Sequence, residues 1–183
     1  VQPLGQDLDL EPYVNYQVDA QSRLWRMKAT DGEGNQPVAE DFDVLQGDAW
    51  SPYATADILS KDGQFDSPTF RVDPQGRIWI IYTRLPTAER PTIWTTGVAI
   101  QNGQDWQVYH SGNTLALATE RVRGPIFNRQ GQAWFISESG GVWIFDGTWL
   151  KENTSTMGAV LSIAFDQDDQ PWYATADGVI HAA

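Results

Sequence analysis

Four segments of this chain align without a gap, and each ends in tryptophan. They are Val18-Asp19-Ala20-Gln21-Ser22-Arg23-Leu24-Trp25, Val72-Asp73-Pro74-Gln75-Gly76-Arg77-Ile78-Trp79, Phe127-Asn128-Arg129-Gln130-Gly131-Gln132-Ala133-Trp134 and Phe165-Asp166-Gln167-Asp168-Asp169-Gln170-Pro171-Trp172. Each has an apolar residue, then Asp or Asn, then a polar turn, with Trp six positions after the Asp or Asn. A second slot nests inside the first. Gly47-Asp48-Ala49-Trp50, Gln104-Asp105-Trp106 and Asp146-Gly147-Thr148-Trp149 each put Trp just after a turn, 15 to 27 positions beyond the preceding first-slot Trp. The two slots absorb seven of the nine tryptophans, so these are packing residues and not ligand contacts. Such a repeat constrains the fold before local propensity does.

Between the marks the chain reads as strands. Arg77-Ile78-Trp79-Ile80-Ile81-Tyr82-Thr83 and Ala133-Trp134-Phe135-Ile136 are aromatic and β-branched and bounded by turn formers. Val142-Trp143-Ile144-Phe145 follows Gly140-Gly141, a tight hairpin connection. No stretch keeps a helical period, so no helices are expected. Each repeat is four antiparallel strands, with the first Trp on the second strand and the second Trp on the fourth. Four-stranded units recurring roughly every 40 to 55 residues are the blades of a β-propeller, stable only when neighbours cover both faces. The expected fold is all-β, with blades over residues 11–54, 67–112, 124–153 and 160–183 in a single domain. The last blade lacks a fourth strand. Either residues 1–10 return to complete it, pairing Leu4 to Leu10 with Val179-Ile180-His181 in a closed ring, or the chain is part of a larger propeller. Closure is the favoured alternative.

The string of apolar residue, Asp, Gly-containing turn, Trp, apolar strand, Gly-Gly and Asp-Gly-x-Trp resembles the propeller repeats of two-component-regulator sensor proteins. Residues 126–172 match best, including the polar link Asn153-Thr154-Ser155-Thr156-Met157-Gly158. The resemblance implies a ligand-sensing or assembly role that is not catalytic, in a periplasmic or extracellular setting.

Charge narrows the partners. The net charge of −12 speaks against nucleic acid, which needs a surplus of Lys and Arg. No run of about 18 apolar residues exists to insert in a membrane. Val1-Gln2-Pro3-Leu4-Gly5 has neither the basic end nor the apolar stretch of a signal peptide. There are no cysteines, so no disulfide or thiolate metal site. The charge is also uneven: residues 1–66 carry −9, residues 67–135 carry +3 and residues 136–183 carry −6.

Catalytic constellations are scarce. A sialidase repeat would place one residue between Asp and Gly, whereas Asp73 and Gly76 have two, and no tyrosine nucleophile with an acid partner is marked. A propeller lyase would need a histidine base, and only His110 and His181 exist, at a strand end and near the last residue. Asp166, Asp168 and Asp169 lack the remainder of a calcium loop. Asn153-Thr154-Ser155 is a formal glycosylation sequon on a link. The expectation is a non-enzymatic binding module without cofactor or metal, taking a small-molecule ligand or protein partner, alone or within a larger chain or assembly. A lyase or glycosidase is the alternative.

The basic island supplies the site. In a four-stranded blade, the loop between the second and third strands emerges on the same face as the link to the next blade. Arg84 and Arg90 flank the loop Leu85-Pro86-Thr87-Ala88-Glu89, and Arg121 and Arg123 lie in the link after the same blade. Other loops of that face offer Asp31, Glu33, Asp57, Asp62, Asp66 and Asp177, so four arginines there would be a local exception. Arginine forks grip carboxylates in bidentate fashion. An anionic ligand or acidic partner surface is the expected occupant; the competing reading pairs these arginines with Glu89, Glu120 and nearby acids.

Overall fold

The computed structural model describes residues 15–31, 37–55, 65–84, 94–103, 105–118 and 121–181. They form four antiparallel sheets, each in chain order. Blade 1 is β1 (Asn15–Val18), β2 (Leu24–Asp31), β3 (Pro37–Gln46) and β4 (Ala49–Thr55). Blade 2 is β5 (Phe65–Val72), β6 (Ile78–Arg84), β7 (Thr95–Asn102) and β8 (Asp105–Tyr109). Blade 3 is β9 (Val122–Phe127), β10 (Ala133–Ser137), β11 (Val142–Phe145) and β12 (Trp149–Lys151). Blade 4 has β13 (Val160–Phe165), β14 (Pro171–Thr175) and β15 (Gly178–His181). These are propeller blades, in keeping with the all-β reading of the sequence. One local element departs from it: Leu115–Leu117 form a 3-10 turn, which seats Ala116 and Leu117 in the core between blades 2 and 3. The expected pairing of Leu4 to Leu10 with the last strand lies outside the described residues.

Three apolar cores hold the blades face to face. Trp25, Met27 and Phe42 of blade 1 meet Phe70, Ile80 and Tyr82 of blade 2. Trp79, Ile81 and Val98 then meet Val122, Phe135 and Phe145 of blade 3. Trp134, Ile136 and Val142 meet Val160, Ile163 and Tyr173 of blade 4. The first-slot tryptophans sit on β2, β6, β10 and β14, and Trp25, Trp79 and Trp134 point towards the following blade. Trp79 lies edge-on to Phe127 and Phe145, with ring centroids 5.4 and 5.5 Å away. The second-slot tryptophans sit on the fourth strands, and two of them face the preceding blade, Trp106 towards Phe42 and Trp149 towards Tyr109. Strand alternation separates the two faces of each sheet. The residue after the first-slot Trp therefore points backwards.

The spacing of Asp and Trp has a chemical cause. Asp73 Oδ1 accepts from the backbone N–H groups of Gln75 and Arg77 at 3.0 and 2.8 Å, closing the turn. Its Oδ2 accepts from Arg77 Nε at 2.6 Å and from the Trp79 indole at 2.9 Å. Asp19 makes the same four contacts, with Trp25 Nε1 at 2.8 Å. One buried carboxylate thus sets the turn, holds the arginine and satisfies the indole. In blade 3 the Asp is Asn128, which donates to Gln132 Oε1 at 2.7 Å, and the buried Trp134 indole N–H has no partner. An amide has one oxygen where the carboxylate has two, and that oxygen already accepts from Gln132 N at 2.9 Å.

These turns also bridge the blades on the face opposite the links. Gln21 donates to the Pro74 carbonyl at 3.2 Å, and Gln75 to the Gln130 carbonyl at 3.2 Å. The Arg129 backbone N–H donates to Asp169 Oδ1 at 2.9 Å. Blade 1 departs from the pattern on its rear face. Ile80, Phe135 and Tyr173 are buried after their tryptophans, but the matching residue is Arg26. Its Nε lies 2.8 Å from the buried Asp43 carboxylate, which also has Lys28 Nζ at 3.5 Å. The Arg26 guanidinium stacks on Trp50 at 4.4 Å.

Candidate functional site

The seam between blades 2 and 3 is closed by one hydroxyl. Thr96 Oγ1 on β7 accepts from the Val122 backbone N–H at 2.9 Å and faces its carbonyl at 3.3 Å. Val122 thereby has both of its backbone groups paired where no ladder joins the two sheets. Val122 turns its side chain into the core. Period-two alternation then sends Arg121 and Arg123 to the other side of the chain, where both are exposed.

Above this stitch lies a cleft of 270 Å³. Arg121, Arg123, Thr69, Thr83 and Thr96 supply its polar lining, and Ile81, Tyr82, Val122 and Gly124 the rest. Arg121 Nε stands 3.6 Å from Glu138 Oε1, an exposed pair of the kind worth under about 1 kcal/mol. Arg123 Nη2 donates to the Leu161 carbonyl at 3.3 Å, crossing to the first strand of blade 4. The arrangement presents two guanidinium groups and the Thr83 hydroxyl to an acceptor-rich ligand, while Thr69 Oγ1 donates to the Ile81 carbonyl at 3.5 Å and Thr96 Oγ1 is taken up by Val122.

Arg84 ends β6 and is half-buried. Its neighbour Thr83 lines the cleft, whereas Arg84 Nη1 donates to Ser111 Oγ at 3.4 Å, at the start of the link to blade 3. Consecutive strand residues leave opposite faces, so shared loop topology does not put Arg84 among the described lining residues. Arg90 lies outside the described residues. Thr69, Thr83 and Thr96 are additions that sequence reasoning missed. The available signal was their place near strand ends of an otherwise apolar blade.

His110 is occupied by structure. Its Nδ1 accepts from Gly112 N at 2.9 Å, and its backbone N–H donates to Asn113 Oδ1 at 2.8 Å. Among the described residues, no three His, Asp or Glu side chains gather in a way that could hold a metal ion. No described helix is long and apolar enough to cross a membrane.

No protein-family profile and no curated protein sequence matches this chain. Among solved structures it is similar to a fucose lectin from Kordia zhangzhouensis, in complex with methyl-fucoside, at 12% identity and a TM-score of 0.34. The match covers 93% of this chain and 97% of the lectin. A likeness at that level has no weight for function, and the fold rests on the strand pairing and the inter-blade cores themselves.

Proposed function

We propose that this chain is a non-catalytic binding module, of sensor or scaffold type, whose link-bearing face takes an anionic small ligand at the seam between blades 2 and 3. The observation that carries the reading is that Arg121 and Arg123 line one cleft with three threonines. The surrounding charge supports it, because residues 67–135 hold a net +3 in a chain of net −12. A carboxylate there would accept from a guanidinium fork and from the Thr83 hydroxyl together, a geometry a lone surface lysine lacks. Arg84 and Arg90, which flank the loop after β6 in the sequence, would add positive charge to the ligand's surroundings. The exposed Glu138 contact is weak enough for a ligand to displace.

A thermal-shift screen of sugar acids and dicarboxylates tests this. A binder at 100 times its Kd should stabilise the fold by about 2.7 kcal/mol. Replacing Arg121 and Arg123 by Ser should abolish that rise while leaving the ligand-free melting temperature in place. Added salt should weaken binding in the parent protein. A ligand-induced rise that survives the double replacement rules the cleft out.

A further inference from the structure

At the next seam, the hairpin between β10 and β11 meets the link from β12 to β13 and encloses a second cleft, of 490 Å³. That volume lies within the range of small-molecule sites, about 300–1,000 Å³. Its walls are set by backbone hydrogen bonds. Val160 N donates to the Gly140 carbonyl at 2.9 Å, Glu152 N to Val142 at 3.0 Å, and Met157 N to Thr154 at 3.0 Å. Gly140 adopts a φ of +83°, and a Cβ there would stand 2.5 Å from Ala159 Cα. Only glycine lets the hairpin lie this close to the link. The cleft is therefore preformed by the fold.

Its polar lining comprises Ser139, Lys151, Glu152, Asn153, Thr154 and Ser155. Asn153 Oδ1 is tied back to Ser155, accepting from its hydroxyl at 2.8 Å and its backbone N–H at 3.4 Å. That fixes the carboxamide and leaves its Nδ2 donors on the other side. Lys151 Nζ sits 5.6 Å from the Trp143 ring centroid. Neither Lys151 nor Glu152 forms an ion pair with a described residue. Glu152 is close enough to the fully buried Tyr173 hydroxyl to help push its pKa up, behind the larger effect of burial. Lys151 follows Trp149 by two positions and lies with Trp143 on the face towards blade 2, so the side chains left to the cleft are a carboxylate acceptor, amide donors and hydroxyls. A simple anion would meet Glu152. Vicinal hydroxyl groups suit this set, since one can donate to Glu152 while another accepts from Asn153.

We propose that this cleft is a second, separate binding site, for an uncharged polyhydroxylated ligand of the size of one sugar ring. It does not depend on the arginine cleft. The test titrates the full ¹⁵N-labelled chain with methyl α-D-glucopyranoside, methyl α-D-galactopyranoside and methyl α-D-mannopyranoside, following backbone amide resonances. Saturable shifts are expected for Gly140, Gly141, Ser155 and Gly158 with at least one glycoside. Glu152→Gln and Asn153→Ala, both on the link, should each weaken that binding by roughly tenfold, the effect of losing one good hydrogen bond. The Arg121 and Arg123 double replacement should leave it intact, which separates this site's failure from that of the arginine cleft. Three outcomes would overturn the proposal. One is the absence of saturable shifts at this cleft up to about 50 mM glycoside, beyond millimolar affinity. Another is binding that both link variants leave unchanged. The third is saturation by glycine or glucuronate in preference to every neutral glycoside.

Discussion

Asp19 shows how much one carboxylate organises in a blade. Burial alone would raise its pKa, but hydrogen bonds from the Trp25 indole and from Arg23, with the Arg23 charge, outweigh that and hold it below the usual 3.8. A folded pKa below the unfolded one means the unfolded chain takes up the proton first as pH falls. The contribution is therefore present above about pH 4 and is lost as pH drops through the folded value. Asp19→Asn should be less stable than the parent near neutrality, by about 1–3 kcal/mol for charged hydrogen bonds lost in a buried site. Urea melts at about pH 7 and about pH 3 should show that gap narrowing in acid; a constant gap would mean the charge is irrelevant. Blade 3 offers the converse experiment. Asn128→Asp with Gln132→Arg rebuilds the clamp of blades 1 and 2 and gives the buried Trp134 indole an acceptor. A gain of about 1 kcal/mol is expected, or some 2–4 °C in Tm at this chain length. A lower Tm would show that the Asn–Gln pair is the better solution in its own surroundings.

Among the elements, the central strands leave the least room for change. Gly97 of β7 stands opposite Tyr82 of β6, and a Cβ on it would fall 2.2 Å from the tyrosine ring. Tyr82 is itself almost fully buried in the core between blades 1 and 2. The ring covers a glycine that would otherwise weaken the strand. Gly97→Ala should cost about 1–3 kcal/mol by overpacking, since neither strand can shift without moving its neighbours. Combined with Tyr82→Leu, it should cost less than the two single changes together. Strictly additive denaturant midpoints would place the strain elsewhere.

For the whole molecule, the blades are joined in series, and position in the series decides what the same residue is worth. Trp79 is fully buried by blade 3, whereas Trp172, in the same slot of blade 4, is 40% exposed. Leu161 and Val179 of blade 4 are also exposed, at 52% and 68%. Trp79→Ala should cost about 3–5 kcal/mol, the range for large core truncations. Trp172→Ala should cost less than half of that, because the loss scales with the apolar area withdrawn from water and the contacts left behind. Equal losses in paired melts would mean that blade 4 is covered in solution as fully as blade 2. The rear face of blade 1 carries Arg26, with Asp43 and Lys28 beside it, where the buried Ile80 and Phe135 stand in blades 2 and 3.

Which residues recur, and on which strand, was settled by local chemistry and could be read from the chain. The Asp-to-Trp spacing is the reach of one carboxylate around one turn, so it survives in any blade that uses the clamp. The aromatic and β-branched runs within Ile78–Arg84 and Ala133–Ser137 marked strands in the same way, and these strands are buried on both faces. The 3-10 turn at Leu115–Leu117 carried no such signal, because Ala116 and Leu117 are held by two blades packing on them and not by their own propensity. The arginines divide along the same line. Topology brings the loop and the link of blade 2 to one face, which sequence order alone implies. That Thr83 and not Arg84 reaches the cleft, and that Thr96 stitches β7 to Val122 beneath it, depends on side-chain direction and on contact between chain segments 26 residues apart. Those are properties of two sheets in contact, and neither sheet's sequence contains the other's position.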